Sequence, residues 1–442
     1  MNNYYGRQIV NPKIASVPAG IIVRPAFVSG ICQRCGQQQL APLPNQQFYC
    51  LACLSLGRVS SLDVLWSLPE PNAFAHHEKT LTWQGTLTAQ QRLVSQALID
   101  TLGAQQEHLV WAVTGAGKTE MMFPVISHAL QAKQRVAILS PRVDVIVELA
   151  PRIATAFNTT PIAVLYGTQE ENYRYTALVL ATTHQMLRFK SAFDLLIIDE
   201  VDSFPYVNNA MLAYAVKQAK KAESTVIYLT ATPTKIMKKR AERREINVSY
   251  LPLRFHQHPL PTLNVSLVGR WRKKLPQKLL RQLRQFQKRM QRFLIFVPRV
   301  ADTLVIYRKI SQRFPDMLGD FVHAGDVSRQ QKVQNMRDEK IQYLVTTTIL
   351  ERGVTFPGID VLILGAEEET FSENALVQIA GRVGRDNKRP TGLVRAYVQH
   401  INLKVLAAKR QIKLMNRRGA TLGGKRWCAL FVKKSDAKQL AY

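Results

Sequence analysis

The decapeptide from Trp111 to Glu120, W-A-V-T-G-A-G-K-T-E, sets a lysine and a hydroxyl side chain directly after a run of small residues. It follows His108-Leu109-Val110 and precedes Met121-Met122-Phe123, the order of a buried strand, a turn and a helix start. Small residues let backbone N–H groups converge on an anion where a helix N-terminus is partly positive. In such a cradle Thr114, Gly115 and Gly117 line the phosphates, Lys118 meets the β- and γ-phosphates, and Thr119 holds Mg²⁺. The first glycine of the strict pattern is replaced by Ala112, so this stretch alone points to nucleotide binding and nothing narrower. Upstream, Leu87-Thr88-Ala89-Gln90-Gln91 opens a helical stretch with Thr88 as N-cap, and the Gln91 amide has the paired donor and acceptor that an adenine edge requires.

Further candidates fall where apolar runs end. Phe193-Asp194-Leu195-Leu196-Ile197-Ile198 reads as a buried strand and runs into Asp199-Glu200-Val201-Asp202. Adjacent carboxylates at a strand end are costly unless they hold something. Asp199 suits Mg²⁺ binding through water, Glu200 polarisation of an attacking water, and Asp202 a hydrogen bond toward the next motif. Thr230-Ala231-Thr232, after the β-branched run Thr225 to Leu229, supplies hydroxyls for that bond. Ser140-Pro141-Arg142 and Ala181-Thr182-Thr183-His184-Gln185 likewise close apolar runs, as do Thr346-Thr347-Thr348 and Leu350-Glu351-Arg352-Gly353 further on. In Gln378-Ile379-Ala380-Gly381-Arg382-Val383-Gly384-Arg385 the two arginines are spaced to share one helix face, where planar guanidinium forks suit phosphate oxygens.

A different chemistry resides in Cys32-x-x-Cys35 and Cys50-x-x-Cys53, with fourteen residues between the pairs. Each pair can turn two thiolates toward one point, and together they supply a tetrahedral S₄ site for structural Zn²⁺. Two disulfides and an iron–sulfur cluster are the competing readings of the same four residues. Cys428 stands apart as an ordinary buried thiol, and His76-His77 reads as linker, because neighbours in sequence do not converge on one helix face.

The elements that must position these groups are short apolar runs alternating with helical segments, the pattern of parallel sheets built from crossover units. The 442 residues exceed one core and divide into a cysteine-bearing segment 1–78, a first lobe 79–252, a proline-rich linker 253–263 and a second lobe 264–442 with a basic tail. The 60 Lys and Arg against 31 Asp and Glu give a formal charge of +29, which calls for a polyanionic partner: nucleic acid or an anionic membrane face. The basic stretch Gln277 to Arg292 reads either as a solvated face or as part of that contact. No apolar run reaches the roughly 18 to 20 residues needed to span a bilayer, and no signal-peptide pattern opens the chain, so a cytoplasmic or at most peripheral location is expected.

Order and spacing of phosphate loop, D-E-V-D, T-A-T, proline hinge and G-R-V-G-R resemble superfamily 2 helicases and translocases over roughly residues 85 to 400. The resemblance implies two tandem RecA-like α/β lobes, with Lys118, Asp199, Glu200, Gln378, Arg382 and Arg385 working on ATP. It also implies that Pro141, Arg142, Thr182, Thr230, Thr232, Thr347 and Arg352 grip a nucleic-acid backbone. Within the superfamily, the four-cysteine module ahead of the first lobe, L-x-R-G-V-T-F before the last motif and a basic tail beginning near Leu403 resemble the ComFA family of competence ATPases. That implies a motor on single-stranded DNA at the cytoplasmic membrane face, with other competence proteins and the membrane DNA channel as partners. PriA-type restart helicases share the L-T-x-x-Q lead-in and D-E-x-D but carry their cysteines in the second half. A zinc-containing nucleic-acid binder without motor activity is the other reading. Polarity and oligomeric state are not legible in the sequence.

Overall fold

In a computed structural model, residues 2–75, 78–167 and 173–423 are described; His76, His77 and Cys428 lie outside them. Among these residues the chain forms two compact units, one of residues 2–111 with 118–250, the other of 112–117 with 251–423.

The first unit is built on a seven-stranded sheet in the order Ile162–Leu165, Leu178–Thr182, Val136–Ser140, Phe193–Asp199, Lys220–Thr230, Glu107–Ala112 and Asn247–Leu251. Neighbours from Ile162–Leu165 through Glu107–Ala112 pair in parallel. A parallel sheet is covered on both faces, and Val136–Ser140 and Leu178–Thr182 are accordingly buried at every position. Parallel pairing also brings the C-terminal strand ends to one edge. The stretches after Ala112, Ser140, Thr182, Asp199 and Thr230 therefore emerge together. The helix Ala89–Ile99 opens with a capping box in which the Thr88 hydroxyl accepts from Gln91 N and the Gln91 side chain accepts from Thr88 N.

The N-terminal segment contributes an antiparallel sheet in the order Ile9–Pro12, Asp63–Ser67, Ile22–Pro25, and two short hairpins, Phe27–Val28 with Ile31–Cys32 and Leu40–Pro42 with Phe48–Cys50. This segment shares a hydrophobic core with the first sheet. The four cysteines and Val59 lie in one cluster with Ala215, Val216 and Ala219 of the helix Ala210–Ala219. Gly36, at φ +71°, lets the Tyr214 ring pack where a Cβ would stand only 2.7 Å from it, and the Tyr214 hydroxyl donates to Gln33 O at 3.3 Å. A second tie is ionic: Arg135 Nη1 meets Glu70 Oε2 at 2.6 Å with both side chains fully buried.

The second unit carries a six-stranded sheet in the order Leu263–Leu267, Val394–Val398, Asp360–Leu364, Phe293–Phe296, Tyr343–Thr346, Gly319–Val322, with all neighbours parallel. The helix Gln277–Lys288 packs Leu279, Leu280, Leu283 and Phe286 into its core beside Trp271. Arg272 pairs with Asp302 through two bonds of 2.8 and 2.7 Å and also reaches Glu368, and these carboxylates raise its pKa.

Removing one partner of a buried ion pair leaves an uncompensated charge, so Glu70→Ala should destabilise the first unit by about 3–5 kcal/mol. Urea unfolding followed by tryptophan fluorescence measures this. An unchanged midpoint would mean that the Arg135–Glu70 pair does not tie the segment down.

Candidate nucleotide and metal sites

The phosphate-loop lysine and the carboxylates meet in the first unit. Lys118 begins the helix Lys118–Gln131, and its Nζ lies 2.8 Å from Asp199 Oδ1 at the end of the central strand. Burial opposes the Lys118 charge, but Asp199, Glu200 and Asp202 outweigh it and raise its pKa, so the ammonium is retained. Glu200 follows at φ +54°, a left-handed conformation that non-glycine residues seldom adopt, and its carboxylate accepts from the Ser203 hydroxyl at 3.2 Å. Asp202 accepts the Thr230 hydroxyl at 2.6 Å and the Thr232 hydroxyl as well. The bond expected between these motifs is present. Thr119 is buried beside Lys118.

The loop itself has the backbone its sequence demands, with Gly115 at φ +79° and Gly117 at φ +72°. It belongs by its contacts to the second unit: Phe255 N donates to Gly115 O at 2.9 Å and the Thr114 hydroxyl to Gly381 O at 3.3 Å. Arg382 and Arg385 do not share a helix face, contrary to the expectation from their spacing. The helix Glu373–Ala380 ends at Gly381; Arg382 lies in the turn beyond it, where Gly384 takes φ +71°, and Arg385 just past that turn. Arg382 Nε donates to Glu351 O at 3.0 Å and Arg385 Nη1 to the Thr355 hydroxyl at 3.2 Å. Gln378 is buried on that helix.

Arg254, within the linker, is a residue that reading by motif passes over. It is fully buried, its side chain runs beside Gly115, and its guanidinium donates to the carbonyls of Gly381 and Gly384. Burial, with Arg385 nearby, lowers its pKa to about 9. Pro252, Pro259 and Pro261 mark residues 251–261 as linker, and only the arginine itself signals otherwise.

The residues expected to grip nucleic acid are mostly not on the surface. Thr182, Thr230, Thr232 and Thr347 are buried, and both hydroxyls of the T-A-T segment are engaged by Asp202. Pro141 is buried, Arg142 is held by Asp144 at 3.0 and 2.7 Å, and Arg352 is buried beside Glu351. The Gln91 side-chain oxygen accepts from Thr88 N in the helix cap.

The four cysteine sulfurs lie within 4.8 Å of one another, with Cys32–Cys53 at 3.8 Å and Cys35–Cys50 at 3.5 Å. Disulfide sulfurs stand about 2.05 Å apart, whereas sulfurs on a tetrahedral ion with bonds near 2.3 Å are about 3.8 Å apart. The thiols are free and the geometry fits one small ion, which a multi-iron cluster with its thiolates on separate metal atoms does not require. Arg34, itself buried, donates through Nε to Cys53 Sγ at 3.3 Å and through Nη2 to Cys53 O at 3.0 Å, offsetting thiolate charge.

Residues 84–235 match the family model described as the res subunit of type III restriction enzyme, and residues 274–387 match the helicase conserved C-terminal domain. Among solved structures, the DEAD-box helicase Mss116 bound to ssRNA aligns at TM-score 0.54 and 17% identity over 73% of this chain and 76% of that one. Dbp5 of S. cerevisiae bound to RNA aligns at TM-score 0.53 and 14% identity over 74% and 91%. These likenesses show the fold, two RecA-like lobes, and with the two domain matches they define a superfamily 2 helicase-type ATPase. Two relatives narrow the class. Competence protein ComFA of Bacillus subtilis strain 168 is 40% identical over 402 residues, 88% of this chain and 86% of that protein. Competence protein ComFA of Streptococcus pneumoniae strain R6 is 39% identical over 393 residues, 87% and 90%. The chain belongs to the ComFA family.

Lys118→Ala should lower ATP turnover by more than about 100-fold, the scale for removing a group that stabilises transition-state charge. Glu200→Gln should still bind ATP and turn it over very slowly. Full turnover in either variant, in a phosphate-release assay, contradicts the site. Metal analysis of the purified chain should find one zinc per molecule, lost in Cys50→Ser; iron or no metal contradicts the cysteine assignment.

Proposed function

We propose that this chain is an ATP-driven translocase on single-stranded DNA that serves uptake of transforming DNA at the cytoplasmic face of the membrane. The observation that carries the reading is Asp202, three residues past the end of the carboxylate-bearing strand, holding the hydroxyls of both Thr230 and Thr232. A shift of the nucleotide-side carboxylates is thereby transmitted to the segment that the family resemblance assigns to the nucleic-acid backbone.

Binding of ATP would draw Lys118 from Asp199 to the phosphates, leaving the Asp199 carboxylate to a cation. Thr119 and Asp199 would hold Mg²⁺, which neutralises phosphate charge when bound. Glu200 would take the proton of the attacking water, and Arg382 and Arg385 would stabilise charge on the transferred phosphate. The charge of +29 suits a polyanionic track and an anionic membrane face. No helix of the described residues is long and apolar enough to cross a membrane, so the membrane contact is proposed as peripheral, through other competence proteins including the DNA channel.

The motor should displace a protein block from a single strand in an ATP-dependent manner and separate duplexes poorly, both measured under one salt condition. Efficient separation of long tailed duplexes without block displacement contradicts this reading and favours a restart-type helicase.

A further inference from the structure

A second group of cations lies in the first unit, where the N-terminal segment joins the 3₁₀ turn Thr183–Arg188 that follows Thr182. The join is made by main chain: Gln8 N donates to Arg188 O at 2.9 Å, Lys190 N to Gly6 O at 2.9 Å, and Arg7 bridges Phe189 in antiparallel fashion. It brings Arg7 beside Arg188, whose carbonyl accepts from Arg7 Nε at 3.2 Å, and Lys190 of the lobe near enough to Arg24 of the segment for the two charges to repel. Among the described residues none of these four cations has a carboxylate within ion-pair distance, although the same unit pairs Arg135, Arg142, Arg152 and Lys221 with acids.

Their polar atoms are short of partners. Arg24 Nε and Nη2 are buried donors without a hydrogen bond, and Arg7 and Arg188 line a recess with Tyr173 and Gln185, the last only 3% exposed. A native protein rarely leaves such groups unsatisfied unless a ligand completes them. Burial lowers the pKa of Arg24, Arg188 and Lys190; Arg34 lowers that of Arg188 further, and Arg24 that of Lys190. Like charges held together without acids cost stability and form a site for anions.

We infer that Arg7, Arg24, Arg188 and Lys190 form a binding subsite for the phosphodiester backbone of single-stranded nucleic acid, at the join of the N-terminal segment and the first lobe. A strand fits this place better than a bilayer surface, because the Arg24 nitrogens are recessed and a thin, flexible polyanion reaches them where a plane of headgroups does not. The Tyr173 ring, 4.0 Å beneath the Arg7 guanidinium, adds the aromatic element that accompanies cationic grooves for single strands. This inference rests on the reading of the chain as a single-strand motor.

The test is the salt dependence of binding to fluorescein-labelled oligothymidylate by the full-length protein, by Arg24→Gln/Lys190→Gln, and by a control pair, Lys239→Gln/Arg243→Gln, on the helix Lys235–Glu242 and its C-cap. Each phosphate contact on a single strand contributes about 0.7 to the slope of log K against log salt, so the Arg24/Lys190 variant should lose about 1.4 and the control nothing. An identical slope in the Arg24/Lys190 variant overturns the subsite. So does loss of binding to phosphatidylglycerol vesicles with the DNA slope unchanged, which assigns the cations to a membrane. Zinc content and thermal midpoint report folding; should the double variant unfold, Lys190→Gln alone should lose about 0.7, and no loss overturns the inference. Failure of the unaltered protein to bind single strands at all removes the motor reading itself, a result distinct from an unchanged variant slope.

Discussion

Three carboxylates crowd the end of one buried strand, and much of the first unit is arranged around balancing them. Asp199 and Asp202 are each less than one-tenth exposed. Taking such charges out of water costs several kcal/mol apiece unless they are compensated. Lys118 compensates Asp199, and the Thr230 and Thr232 hydroxyls satisfy Asp202. These partners arrive from two other strands of the sheet, so the parallel order that sets Phe193–Asp199 beside Lys220–Thr230, with Glu107–Ala112 next, is what makes the site possible. Glu200 is held in a left-handed conformation between the two balanced acids, a backbone cost that the surrounding hydrogen bonds sustain.

The cysteine module is part of the same body. Its sulfurs share a core with the helix Ala210–Ala219, which follows the carboxylate motif by only a few residues. The four-cysteine cluster packed against that helix restrains the stretch that connects Asp202 to the rest of the lobe. Beside it, the Arg135–Glu70 pair and the main-chain bonds to Arg188 and Lys190 tie the segment to the sheet at its other side. The N-terminal residues therefore brace the first lobe as well as carrying a metal site.

What the sequence made legible was chemistry encoded locally. The phosphate loop, D-E-V-D, T-A-T and the paired cysteines each occupy a few consecutive residues whose types dictate their geometry, and strand-then-polar patterning puts the first three at strand ends. Spacing alone sets Arg382 and Arg385 on one helix face, whereas Gly381 and Gly384 mark a helix end in the same stretch. Burial of Thr230 and Thr232 and the role of Gln91 in a helix cap depend on what packs around them, and neither periodicity nor motif reports that. Arg24 and Lys190 are 166 positions apart, and Arg254 is hidden among prolines. Long-range placement of single cations has no local signature.

The central claim is that hydrolysis drives movement along a strand rather than accompanying static binding. Steady-state ATP turnover at saturating oligothymidylate of increasing length separates the two. A translocase spends a growing share of its time moving as the track lengthens, so turnover should climb with length well beyond the footprint of one molecule before levelling off. Turnover that is already maximal at the shortest strand able to bind, and flat thereafter, would contradict the account.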